Sequence, residues 1–109
     1  MERVQQVDII QEKLRQRQYR LTSHAEQERE AEKITIKEIE ESLQSSKAEI
    51  IEGYPDDPRG TSCLLLGFDK NGKPLHVVCG LSVEMPIIIT VYRPNPEQWI
   101  NWRARRPKL

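Results

Sequence analysis

Ile50-Ile51-Glu52-Gly53-Tyr54-Pro55, Ser62-Cys63-Leu64-Leu65-Leu66-Gly67, Pro74-Leu75-His76-Val77-Val78-Cys79 and Ile87-Ile88-Ile89-Thr90-Val91-Tyr92-Arg93-Pro94 follow one another through the second half of the chain. Each run is short, rich in β-branched or aliphatic residues and bounded by Gly, Pro, Asn or Asp, the pattern of strands in one antiparallel meander. A histidine, a threonine, two tyrosines and an arginine lie in or at the ends of these otherwise apolar runs. The sheet is therefore expected to display chemistry as well as to build a core.

Helical signals occupy the first half. Val4, Val7, Ile10 and Leu14 recur at helical spacing, and the basic Arg17-Gln18-Tyr19-Arg20 closes that helix where its dipole favours cations. A second, more polar helix starts after Thr22 or Ser23, with Ser23 and Glu26 at capping-box spacing. Thr35-Ile36-Lys37-Glu38 is a further capping box with Ile34 and Ile39 at the staple positions, which predicts a helix from Ile36 to Leu43. A chain of 109 residues has room for one modest core. The expectation is a single α+β domain over residues 1–109, its N-terminal helices packed on one face of a four-stranded antiparallel sheet, with a basic C-terminal tail.

Asn71-Gly72 is the strongest short hairpin signal, since a type I′ turn needs positive φ at both central residues. A two-residue loop sets Phe68 opposite Leu75, Leu66 opposite Val77 and Leu64 opposite Cys79, an apolar face to pack on the helices. Cys63, Leu65, Gly67, Pro74, His76 and Val78 then fall on the other face. The last strand is expected to send Ile87, Ile89 and Val91 inward and Ile88, Thr90 and Tyr92 outward, so that His76, Thr90 and Tyr92 line one surface. A three- or four-residue loop would flip one strand and break this grouping. The same pairing puts Cys63 and Cys79 on opposite faces, which predicts two free thiols, and without a CxxC pair they form no zinc site.

Net charge is zero but unevenly spread: from Glu26 to Asp57 there are eleven acids and four bases, while Lys13, Arg15, Arg17 and Arg20 near the start and Arg93, Arg103, Arg105, Arg106 and Lys108 near the finish are basic. Such polarity permits a polyanion on one side and a basic partner on the other, or simply a solvated helix surface and a frayed tail. No apolar run approaches the roughly 18 residues of a membrane span, and a cytoplasmic protein without a membrane partner is the default expectation.

Ser23-His24-Ala25, Ile34-Thr35 ten positions after the histidine, and the strand runs from Ile50 to Pro94 together resemble the domain-of-unknown-function-4258 family, over roughly His24 to Trp102. The commoner form of that family carries arginines four and eight positions after the histidine, where this chain has Glu28 and Glu32. The chain looks closer to a bacterial branch whose genes often neighbour a small zinc-finger antitoxin-like protein. The resemblance implies the toxin of a type II toxin–antitoxin pair, of the broad RelE-like group, which cleaves RNA on the open face of its sheet.

Metal-free RNA cleavage needs a base for the 2′-hydroxyl, an acid for the leaving oxygen and a cation at the phosphate. His76, Tyr92 and Arg93 are the candidates, with His24 as a second imidazole and Glu28, four residues on, placed to orient it. Arg103, Arg105, Arg106, Trp99 and Trp102, with Tyr54 and Thr90, are the candidates for holding single-stranded RNA by charge and stacking. No cofactor or resident metal is expected, although His24, Glu28 and His76 are suitable ligand types for one. The competing reading makes His24 a helix-start residue, His76 a satisfied sheet histidine and the aromatics packing residues, in a non-catalytic protein- or nucleic-acid-binding module.

Overall fold

The computed structural model describes residues 2–58, 60–81 and 85–107. Among them the chain forms helices α1 (Arg3–Arg15), α2 (Ser23–Ala31) and α3 (Ile36–Gln44), and strands β1 (Arg20–Leu21), β2 (Glu49–Tyr54), β3 (Ser62–Phe68), β4 (Pro74–Leu81), β5 (Pro86–Tyr92), β6 (Trp99–Ile100) and β7 (Ala104–Arg105). The expected meander is present as β2 to β5. Two-residue β1 adds itself in parallel beside β5, making a five-stranded mixed sheet of order β1-β5-β4-β3-β2, and β6 and β7 form a separate small hairpin. The four-stranded, wholly antiparallel sheet expected from the strand runs is corrected by these additions, because two-residue strands show no periodicity to read.

Helix starts follow local chemistry. The Thr35/Glu38 capping box forms in both directions, and Ile34 and Ile39 are buried on either side of it. At α2 the cap is Thr22 rather than a Ser23/Glu26 box: its hydroxyl accepts from the Ala25 amide and donates to the Ile89 carbonyl, so one side chain both starts the helix and pins it to β5. Val7, Ile10 and Leu14 of α1 are buried as their spacing predicts, while Val4 remains exposed. All three helices pack against one face of the sheet, α1 on β2, α3 on β3 and α2 on β5.

The β3–β4 hairpin departs from expectation by one residue. Asp69 and Lys73 close a three-residue loop in which only Gly72 has positive φ (+75°), and the Gly72 amide donates to the Asp69 carbonyl. This is a type I turn followed by a left-handed glycine, not the two-residue type I′ form. Asp69 decides it. Its buried carboxylate accepts from the amides of Asn71 and Lys73 and from Arg93, which stabilises the longer loop.

The consequence is that β3 turns over. Cys63, Leu65 and Gly67 face the helices, paired with Cys79, Val77 and Leu75, while Leu64 and Leu66 point away, opposite Val78 and His76. β4 keeps its expected sense, with Leu75, Val77 and Cys79 inward and His76 outward. In β5 a bulge at Ile89 resets the alternation, so Ile88 joins Val91 in the helix-side core, whereas Thr90 and Tyr92 face outward as expected. Cys63 and Cys79 are thus cross-strand neighbours on one face, not separated by the sheet. Both are free. The Asp69–Lys73 and Thr61–Leu81 amide–carbonyl bonds set an alternation that makes Cys63–Cys79 a hydrogen-bonded pair, the kind whose side chains stand farther apart across the ladder.

Gly67 is where α3 comes closest to the sheet: a Cβ there would lie 2.0 Å from the Ser42 carbonyl oxygen. Gly67→Ala should therefore destabilise by at least about 3 kcal/mol, since α3 must shift. Gly72→Ala meets open space and pays only for the left-handed backbone, about 1 kcal/mol. Urea unfolding of the two variants checks the order; equal losses would contradict this packing.

Candidate functional site beneath the C-terminal segment

On the face away from the helices, pairing builds two cross-strand rows. Glu49, Leu66, His76 and Tyr92 form one, and Glu52, Leu64, Val78 and Thr90 the other. Glu49 and Glu52 are three residues apart and would ordinarily face opposite ways; a bulge at Ile51 returns them to the same side. This face is not open. The segment after Pro94 folds over it, and His76, Leu64 and Leu66 are completely buried.

The imidazole of His76 sits at the centre. Nδ1 is 3.0 Å from the Tyr92 hydroxyl and Nε2 is 2.7 Å from the backbone carbonyl of Trp102. A carbonyl can only accept, so Nε2 carries the proton, and Nδ1 accepts from the Tyr92 phenol. Trp99, itself buried, meets the imidazole edge-on at 4.5 Å, and Tyr92 does so at 5.2 Å. Burial holds the imidazole below its ordinary pKa and raises that of the Tyr92 phenol.

Around this pair lies a charged ring. Arg105 holds Glu52 through two bonds of 2.8 and 3.0 Å and lies over the Trp99 ring at 4.8 Å. Tyr54 donates to Glu52 at 2.5 Å. Arg103 bonds Glu49. The bond from Arg105 holds the Glu52 carboxyl below the usual range, while burial and the Glu52 bond push the Tyr54 phenol up to about 12. In the sequence Glu52 reads as one acid among the eleven from Glu26 to Asp57; the bulge that turns it to the His76 face, where it meets Arg105, leaves no mark in residue spacing.

The structure thus brings together His76, Tyr92, Tyr54, Trp99, Trp102, Arg103 and Arg105, with Thr90 on the same face beside Val78. It leaves the others elsewhere. His24 is exposed on α2, 3.4 Å from Glu28, whose other oxygen accepts the Val91 amide. Glu32 accepts the Arg93 amide, so Glu28 and Glu32 together terminate the β5 edge. Arg93 closes the end of the β3–β4 hairpin, bound to Glu38 and Asp69 and donating to the Pro74 carbonyl. Arg106 donates to the Pro96 carbonyl. Among the described residues no group of three His, Cys, Asp or Glu side chains converges as a metal site, which includes His24, Glu28 and His76. Nor is any helix among them long and apolar enough to cross a membrane.

The sequence model of the family described as "Domain of unknown function (DUF4258)" matches residues 21–93, and the chain belongs to that family. The match runs from β1 to the end of β5, taking in His24, Glu52, His76 and Tyr92; α1 and the segment that covers His76 lie outside it. No curated protein and no solved structure matches the chain significantly.

The depressed His76 pKa carries a stability consequence. An unfolded histidine takes up its proton near pH 6.5, before the buried one does, so stability should fall as pH drops from about 6.5 toward the lowered folded value. Urea midpoints should be level between about pH 8 and 7 and decline below about 6.5, by no more than roughly 1.4 kcal/mol per pH unit for one proton. His76→Gln should flatten that interval. An unchanged slope in the variant would assign the titration to another group.

Proposed function

We propose that this protein is the toxin of a type II toxin–antitoxin pair, a metal-independent endoribonuclease of the RelE-like group that works on the sheet face carrying His76. The observation that carries this reading is the neutral His76 imidazole, bonded to the Tyr92 phenol and ringed by Glu52, Tyr54 and Arg105. An imidazole kept uncharged by burial is in its basic form at neutral pH.

Chemically, the roles assign themselves once a ribose hydroxyl takes the place of the Trp102 carbonyl. Nδ1–H then donates to the Tyr92 oxygen and the Nε2 lone pair removes the 2′-hydroxyl proton. The 2′-oxygen forms its bond to phosphorus as the bond to the 5′-oxygen breaks. A phenol, Tyr54 or Tyr92, returns a proton to that leaving oxygen, giving a 2′,3′-cyclic phosphate and a 5′-hydroxyl. Arg105 supplies the cation for the crowded phosphate, the role first assigned to Arg93. The acidic stretch from Glu26 to Asp57 is the surface suited to a basic partner, such as a small zinc-finger antitoxin-like protein.

A second reading, a non-catalytic binding module, is favoured by one specific observation. Both His76 nitrogens are already satisfied and the ring is wholly buried, as in a histidine that anchors a packed segment. Incubating the purified chain with single-stranded RNA in chelator, with and without ribosomes, separates the two. The nuclease reading expects cyclic-phosphate ends, a loss of at least about a hundredfold in His76→Ala, and a smaller loss in Tyr92→Phe if the phenol only orients the ring. Full cleavage by a folded His76→Ala protein would remove the mechanism, and intact RNA with the native chain would leave the binding module.

A further inference from the structure

The C-terminal cover is held by contacts that a polynucleotide can replace one for one. Residues 95–107 meet the sheet through the Arg103–Glu49 and Arg105–Glu52 ion pairs, the Trp102 carbonyl on His76 and the buried Trp99. Arg103 and Arg105 are 51% and 63% exposed, so a ligand in solvent can reach both guanidinium groups; the Arg103–Glu49 pair, exposed on both sides, contributes about 1 kcal/mol or less, while Arg105 grips the more sheltered Glu52 through two bonds. The turn joining β6 to β7 is a type I′ turn without glycine, with Asn101 at φ 51° and Trp102 at φ 66° and the Arg103 amide closing on the Ile100 carbonyl. A left-handed tryptophan is strained, by about 1 kcal/mol or more. Strain and solvent-accessible arginines coincide on the segment whose Trp99 and Trp102 meet His76.

We propose that residues 95–107 are a displaceable cover whose Arg103 and Arg105 form a binding site for the phosphates of a single-stranded polynucleotide, exchanging Glu49 and Glu52 for them and uncovering His76 and Tyr92. A phosphate offers each guanidinium the same forked acceptor as a carboxylate, and a strand brings several at once. Glu49 and Glu52 return to water. Leu64 and Leu66 become an apolar floor beside Trp99, on which bases can stack. The exchange itself needs no cleavage; only its catalytic purpose rests on the nuclease reading above.

The chain carries its own reporters. Its two histidines are His76, covered, and His24, 63% exposed, and both its tryptophans lie in the cover. Diethyl pyrocarbonate labelling, read by mass spectrometry, should modify His24 readily and His76 at least about tenfold more slowly. Saturating the native chain with an oligothymidylate of about twelve nucleotides, which lacks the 2′-hydroxyl and is not cleaved, should abolish that difference and shift tryptophan fluorescence over the same concentrations. Arg103→Gln with Arg105→Gln should expose His76 without any ligand, while flattening the log–log salt dependence of oligonucleotide binding by roughly 1.4 for two lost phosphate contacts. Oligonucleotide bound with His76 still protected, or no binding at low salt, overturns the proposal. RNA cleaved while His76 stays protected sinks the exchange and spares the nuclease reading; an opened cover with RNA left whole does the reverse.

Discussion

A buried imidazole must have both nitrogens satisfied, and the architecture of the second sheet face follows from meeting that demand at His76. One nitrogen is met within the sheet by the cross-strand phenol of Tyr92; the other needs an acceptor from outside it, supplied by the Trp102 carbonyl. That second bond requires the chain after Pro94 to fold back over the sheet. Trp99 closes the side of the ring, Arg105 lies over Trp99, and Glu52 and Glu49 anchor the arginines. An unpaired nitrogen in this setting would cost about 1–3 kcal/mol, so the cover and the histidine stabilise each other.

The face is made ready by three irregularities in an otherwise regular meander. The bulge at Ile51 puts Glu49 and Glu52 on one side, the bulge at Ile89 lets β5 present Ile88 to the helices and Tyr92 to His76, and the Asp69-stabilised loop turns Leu64 and Leu66 to the His76 face. Each shifts alternation by one residue, and in a strand one residue exchanges faces. On the helix side the same loop sets Gly67 beneath Ser42, where no side chain fits. The apolar floor of the site and the close seating of α3 thus share a cause.

What could be read from the residues alone divides along the same line. The four long strands, the Thr35 cap with its Ile34–Ile39 staple, the α1 face except for the exposed Val4, and the outward sense of His76, Thr90 and Tyr92 rest on local chemistry, and they stand in the structure. The orientation of β3 does not follow from Asn71-Gly72 alone, because the Asp69 carboxylate favours the longer loop. The relation of the two cysteines turns on the same loop. Arg93 and His24 share the chemical type of a site residue with His76, yet a strand end and a helix start carry them elsewhere. The cover was legible as residues, Trp99, Trp102, Arg103 and Arg105, but not as a fold. Its strands are two residues long and its turn uses Asn-Trp where pattern rules look for Asn-Gly.

The central claim is that His76 is a neutral, doubly bonded imidazole shut away beneath the C-terminal segment, and nitrogen-15 NMR of its ring tests this most directly. At pH 7 the expected result is a protonated Nε2 whose hydrogen exchanges slowly with water and an unprotonated Nδ1 shifted by an accepted hydrogen bond from Tyr92. A rapidly exchanging ring, a proton on Nδ1, or an imidazolium at that pH would contradict it.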